Sequence, residues 1–202
     1  MGKLLLKISD FNLEAGCDEA GRGCLAGPVV AAAVILKNDC EIEGLNDSKK
    51  LNEKERNKLR LEIEDKCLAF AVAFVDEEEI DKINILNASI LAMHRALDNL
   101  KVSPEYIVVD GNRFKKYKQI PHETVVKGDG KVQSIAAASI LAKTYRDEWM
   151  EKINQEFPMY NWMKNKGYPT VDHRNAIRVF GSCKFHRKSF RLLPDGEQLS
   201  MF

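Results

Sequence analysis

The run Val29-Val30-Ala31-Ala32-Ala33-Val34-Ile35-Leu36 is apolar without interruption, and it follows directly on a loop bounded by Gly21 and Pro28. An unbroken run of that length reads as a buried strand, so the residues before it stand at the lip of a sheet. Those residues are Cys17-Asp18-Glu19-Ala20-Gly21-Arg22-Gly23-Cys24-Leu25-Ala26-Gly27-Pro28. Neighbouring side chains on a strand point to opposite faces, so Asp18 and Glu19 reach one cation together only where the strand bends or ends. Gly21 and Gly23 supply such a bend, and they strip side chains from the loop so that its N–H groups can come close to a sugar or phosphate. Acids for a metal beside open backbone for a phosphate is the chemistry of a metal-dependent nuclease. The alternative is a solvated turn whose glycines only satisfy turn geometry.

A chain of 202 residues with 45% hydrophobic content can bury a full core and suits one domain with an extra helical segment. No apolar run approaches the length that spans a bilayer, and Leu4-Leu5-Leu6 is too short for a signal-peptide core, so a cytoplasmic protein with no membrane partner is expected. The cysteines, Cys17, Cys24, Cys40, Cys67 and Cys183, are odd in number and form no C-x-x-C pair, which argues against a disulfide framework and a zinc site. Cys17 lacks a neighbouring histidine to activate it as a nucleophile.

Net charge is only +1, but it is unevenly divided: Met1–Gly111 carries 14 Lys+Arg against 21 Asp+Glu, and Asn112–Phe202 carries 17 against 9. In the basic part, aromatics interleave with cations in Arg113-Phe114-Lys115-Lys116-Tyr117-Lys118 and in Lys184-Phe185-His186-Arg187-Lys188-Ser189-Phe190-Arg191. Such stretches suit a phosphate backbone; an ordinary solvated surface has the same composition.

Strands and helices alternate along the chain. Strands are expected over 13–18, 29–36, 68–75 and 106–111, with a short one from Thr124, and helices over 51–66, 132–157 and 171–180. Ile80, Ile83, Leu86, Ile90, Met93, Leu97 and Leu100 fall at three- and four-residue steps and predict one further helix with a single apolar stripe. Asp110 stands at a strand end before a glycine, and Asp129 stands between Gly128 and Gly130, so four acids are candidates for one site. Ser139, Lys143 and Arg146 share a helical stripe that could hold a phosphate; equally, Lys143 and Asp147 stand at i, i+4 and can pair with each other.

The ordered motifs Asp18-Glu19-Ala20-Gly21-Arg22-Gly23, Asn46-Asp47-Ser48-Lys49-Lys50-Leu51, Val109-Asp110-Gly111, Lys127-Gly128-Asp129, Ala137-Ala138-Ser139-Ile140-Leu141-Ala142-Lys143, Gly167-Tyr168-Pro169-Thr170 and His186-Arg187-Lys188-Ser189-Phe190 resemble those of type 2 ribonuclease H in its bacterial form, ribonuclease HII. The resemblance covers nearly the whole chain from Glu14 to Phe190. It implies an α/β ribonuclease H-like fold, a mixed central sheet flanked by helices with a C-terminal helical segment. The corresponding division is a catalytic domain over 1–157, a segment over 158–195 that completes the substrate cleft, and a flexible tail over 196–202.

The same resemblance implies a monomer that cuts the RNA strand of RNA–DNA hybrids and cuts 5′ of single ribonucleotides in duplex DNA, leaving 3′-hydroxyl and 5′-phosphate ends. Asp18, Glu19, Asp110 and Asp129 would hold two Mg²⁺ or Mn²⁺ ions, with Asp147 competing for the fourth place. Gly21, Arg22 and Gly23 would recognise the ribose 2′-OH, and Tyr168 would stack on the next sugar; Arg22, Lys49, Ser139 and Lys143 are candidates for phosphate contacts. Gln198, Leu199, Met201 and Phe202 resemble the C-terminal motif by which bacterial enzymes dock to the DNA sliding clamp, against a frayed terminus as the alternative. Other classes stay open: another carboxylate-metal nuclease or phosphotransferase on this fold, or a noncatalytic hybrid-binding module.

Overall fold

A computed structural model describes residues 4–40, 42–46 and 48–194; Gln198, Leu199, Met201 and Phe202 lie outside the described residues, and so does the Lys49 side chain. Strands β1 (Glu14–Ala20), β2 (Val29–Ile35), β3 (Ala69–Val75), β4 (Tyr106–Asp110) and β5 (His122–Val125) form one sheet in the order β3-β2-β1-β4-β5. The β1–β2 and β2–β3 pairs are antiparallel, and β4 and β5 join in parallel, which makes the sheet mixed, as expected. The helices are α1 (Glu53–Lys66), α2 (Glu77–Ile83), α3 (Ile85–Asp98), α4 (Gln133–Glu156), α5 (Trp162–Asn165) and α6 (Val171–Phe180).

Both faces of β2 are covered, which is why its sequence shows no alternation. Val29, Ala31, Ala33 and Ile35 pack in one core with Met93, Ala96 and Leu97 of α3. On the opposite face Ala32 and Val34 pack with Ala136, Ala137 and Ile140 of α4 and with Leu59 and Ile63 of α1. A third core joins Leu25 and Ala26 of the glycine loop to Met150 of α4, Trp162 of α5, Ile177 of α6 and Leu193. The C-terminal segment is therefore packed underneath that loop.

The apolar stripe from Ile80 to Leu97 belongs to two helices and not to one, and Leu100 lies beyond the end of α3. Asn84 interrupts the stripe with φ at 65° and ψ at 162°, outside the helical region, and its side-chain oxygen accepts from the Asn87 N–H at 3.1 Å to cap α3. Periodicity alone carries through such a kink because the residues on both sides still face the sheet.

Gly16 positions α4. A Cβ on Gly16 would stand 2.2 Å from the Ser134 carbonyl carbon and 2.4 Å from the Ile135 nitrogen, so only glycine lets the first turn of α4 lie on β1. That contact brings Ser139, on the second turn, beside the end of β1.

Candidate active site

Cys17 pairs with Val109 across the parallel β1–β4 ladder, so Asp18 and Asp110 follow at the same level one residue later. Cys17 and Val109 sit in the core beneath α3; by alternation Asp18 and Asp110 project to the α4 side. Asp129 enters from a 3-10 turn, Gly128–Gly130, rather than from a strand end, because β5 stops at Val125. One carboxylate oxygen from each of Asp18, Asp110 and Asp129 lies within 4.8 Å of the other two. The turn is held by the Gly128 N–H, which donates to Asp110 Oδ1 at 2.7 Å. A Cβ on Gly128 would stand 2.6 Å from Ile135 Cδ1 and 3.2 Å from Val125 Cβ, which accounts for the glycine before the acid.

Glu19, expected with these three, is not in the set whose carboxylate oxygens lie within 4.8 Å of one another, and its negative charge acts on Asp18. Glu19 Oε1 accepts from Arg22 Nη1 at 3.0 Å. It still lines the same cavity as Asp18 and Asp110. Asp147, the competitor for the fourth place, lies outside the cluster: its carboxylate pairs with Lys143 Nζ at 2.6 Å and stands 3.9 Å from Arg56 Nη2.

Asp18 is 5% exposed, and its Oδ1 accepts from the Glu19 N–H at 2.7 Å. Burial pushes its carboxyl well above the usual range, and the negative charges of Glu19 and Asp110 push it further. A hydrogen bond from Ser139 and the one from the Glu19 N–H act in the opposite sense. Ser139 Oγ in turn lies 2.9 Å from Ser48 Oγ, so Ser139 is a buried bridge between Ser48 and Asp18 rather than a surface hydroxyl. Crowded, buried carboxylates of this kind are compatible with hard divalent cations, which take oxygen ligands and cancel the repulsion.

A cavity of about 420 Å³ opens beside the acids, lined by Asp18, Glu19 and Asp110, by the loop Gly21–Gly23, and by Ser139, Lys143 and Tyr168. The two loop glycines have different reasons to be glycine. Gly21 has φ at 95°, and a Cβ there would stand 2.0 Å from Arg146 Nε; Gly23 has neither positive φ nor any atom within 4 Å of such a Cβ. Packing demands the first, whereas the second leaves open space at the cavity. Tyr168 is 40% exposed, and Lys143 Nζ lies 5.8 Å from its ring centroid. The Lys143–Asp147 pairing foreseen as an alternative is formed, and burial lowers the Lys143 pKa despite that carboxylate.

The basic runs differ from their sequence reading. Tyr117 is buried with its hydroxyl on Asp98 Oδ1 at 2.8 Å, and the Phe114 ring packs against His94 and His122, so the aromatics of the first run serve the core. In the second run Phe185 packs against Phe157 and Trp162, while His186 and Arg187 are 1% and 0% exposed. Arg146, placed by its spacing on a phosphate stripe, is 1% exposed and donates to the main-chain carbonyls of Ala26, Pro28 and Lys166. Sequence patterning misses these roles because a buried arginine among carbonyls has the same spacing as an exposed one.

A family model described as Ribonuclease HII matches residues 15–193. A ribonuclease HII from Christiangramia forsetii is 68% identical over 181 residues, 90% of this chain and 91% of that protein. Another from Bacteroides fragilis is 63% identical over 199 residues, 98% of each. Among solved structures, the PCNA:RNase HII complex from Archaeoglobus fulgidus contains a chain of TM-score 0.75 and 26% identity, with 90% of this chain and 96% of that one covered.

Proposed function

The chain belongs to the ribonuclease HII family and is a ribonuclease H enzyme, and from that premise we propose its substrate, site and products. It cleaves the RNA strand of RNA–DNA hybrids and cuts 5′ of single ribonucleotides in duplex DNA, leaving 3′-hydroxyl and 5′-phosphate ends. The observation that carries this reading is the convergence of Asp18, Asp110 and Asp129 within 4.8 Å beside a loop kept free of side chains at Gly23.

Asp18, Asp110 and Asp129, with Glu19 on the same cavity, would hold two Mg²⁺ or Mn²⁺ ions. Bound there, such ions supply an activated water and stabilise charge on the leaving oxygen. The chain's own residues prepare the site: the Gly128 N–H orients Asp110, and Ser139 holds Asp18 against Ser48. The main chain of Gly21, Arg22 and Gly23 reads the 2′-OH, the group that distinguishes RNA from DNA at one position. Tyr168 supports the adjoining sugar; Arg22 and Lys143 contact the phosphates, with Lys49 and Ser139 as further candidates for that role. Residues 1–157 act as the catalytic domain and 158–195 complete the cleft through Tyr168.

Tail residues Gln198, Leu199, Met201 and Phe202 dock to the sliding clamp; the relative solved in complex with PCNA supports this, and deletion of 198–202 should abolish clamp binding with cleavage retained. The acting form is a cytoplasmic monomer, and among the described residues no helix is long and apolar enough to cross a membrane.

The test is one duplex with a single ribonucleotide against an all-DNA control, each with and without Mg²⁺ or Mn²⁺. Metal-dependent cleavage at the ribonucleotide alone is expected. Equal cutting of the all-DNA duplex would favour a DNA-directed nuclease, and binding without cleavage a hybrid-binding module.

A further inference from the structure

His186 and Arg187 are adjacent, fully buried, and turned to different parts of the cleft. Arg187 serves the glycine loop: Nε and Nη2 donate to the Gly27 carbonyl at 2.9 and 2.8 Å, Nη2 to Gly21 at 2.8 Å, and Nη1 to Arg22 at 3.1 Å. The main chains are zipped alongside, with Arg187 N–H on the Leu25 carbonyl and Gly27 N–H on the Phe185 carbonyl, both at 2.9 Å.

His186 serves the tyrosine side. The Cys183 N–H donates to His186 Nδ1 at 3.0 Å, so the His186 proton resides on Nε2, which meets His173 Nε2 at 3.2 Å. The Trp162 indole N–H also donates to His173 Nε2, at 3.0 Å, so the His173 proton resides on Nδ1 and is donated to the Tyr168 carbonyl at 2.9 Å. An amide and an indole N–H can only donate, which fixes both tautomers and leaves both rings neutral.

We propose that His186 and Arg187 are positioning residues that set the spacing between the loop Gly21–Gly27 and Tyr168, and through it the strictness with which a 2′-hydroxyl is required. The proposal rests on the sugar-reading role given above to Gly21–Gly23 and Tyr168. A guanidinium removed from water and hydrogen-bonded only to carbonyls is expensive to bury, and an apolar side chain would fill the space. What the apolar side chain lacks is a rigid fork that grips Gly21, Arg22 and Gly27 together. Arg146 spans the same gap a second time, from the Ala26 carbonyl to the Lys166 carbonyl. Lysine at 187 keeps the charge and loses the fork; glutamine at 186 keeps an amide donor and loses the ring that joins Cys183 to His173.

The experiment measures affinity of the full chain for a duplex with one ribonucleotide and for its all-DNA counterpart, in Ca²⁺ so that binding is read without turnover. Wild type should prefer the ribonucleotide. Arg187→Lys and His186→Gln should each lower that preference at least threefold in protein that remains folded at the assay temperature, with all-DNA affinity unchanged, an outcome that loss of structure does not produce. Should Arg187→Lys fail to fold, His186→Gln decides, because it acts only through the Tyr168 side. Folded variants that keep the preference to within threefold overturn the proposal. Absence of any preference in wild type overturns instead the sugar-reading role on which it rests.

Discussion

Gly16 of β1 and Ser134 of α4 touch main chain to main chain: a Cβ on Gly16 would lie 2.2 Å from the Ser134 carbonyl carbon. Strand β1 carries Asp18 and helix α4 carries Ser139, so this contact fixes the height of the helix over the sheet where the serine meets the acid.

Gly16→Ala should therefore be among the most damaging single-methyl changes in the chain. The added carbon meets backbone on both elements and no rotamer relieves it, so overpacking of about 3 kcal/mol or more is expected, at the upper end for such insertions. Urea denaturation should show the midpoint falling with little change in slope. A loss below about 1 kcal/mol would mean that α4 can slide on the sheet.

Gly23→Ala should behave oppositely. No atom lies within 4 Å of the added carbon, so stability should stay within about 0.5 kcal/mol of wild type. If the loop main chain approaches the ribose, the methyl group intrudes there, and KM for a single-ribonucleotide duplex should rise about tenfold or more, roughly 1.4 kcal/mol. Unchanged KM would remove Gly23 from the sugar-reading loop.

The sheet and most helices are legible in the sequence because burial on both faces writes itself as an unbroken apolar run, as in β2, and helical packing as an apolar stripe. Asp110 was legible as a strand-end acid; Asp18, expected at the end of its strand, stands two residues inside β1. Less legible was the end of β1, which continues to Ala20, a boundary that composition does not mark. The break at Asn84 was hidden because both helices keep the same face to the sheet. His186 and Arg187 were misread for a different reason: a run rich in cations has the composition of a solvated surface, and only the tertiary fold supplies the carbonyls that bury Arg187.

Asp110→Asn should separate folding from chemistry. The amide oxygen can still accept from the Gly128 N–H, now at 2.7 Å to Asp110 Oδ1, so the turn that carries Asp129 survives. Removing the Asp110 carboxylate relieves the repulsion it exerts on Asp18, and the variant should melt no lower than wild type in EDTA. Cleavage should be lost. Millimolar Mn²⁺ should raise the wild-type melting temperature, since a ligand at 100 times its Kd stabilises by about 2.7 kcal/mol, or several degrees for a chain of this size. The variant should gain much less; an equal gain would place the metal elsewhere.

Glu77 provides a pH test away from the cleft. It is the first residue of α2, 8% exposed, and its Oε1 has no hydrogen-bond partner among the described residues. Burial pushes its carboxyl up to about 7, against its own N–H and the positive charges of Arg187 and Arg146. The unfolded chain releases this proton near the ordinary value of 4.5. Between those values the folded protein holds a proton that the unfolded one lacks, so the contribution is complete below about 4.5 and is lost as pH rises through 7. Glutamine mimics the protonated acid at every pH. Glu77→Gln should match wild type near pH 4.5 and exceed it at pH 8 by about 1–3 kcal/mol, as each unit of pKa shift corresponds to about 1.4 kcal/mol. Urea denaturation of both proteins at the two pH values in EDTA measures the difference directly. An advantage that is the same at both would show that Glu77 ionises freely in the fold, with its charge already matched by the two buried arginines.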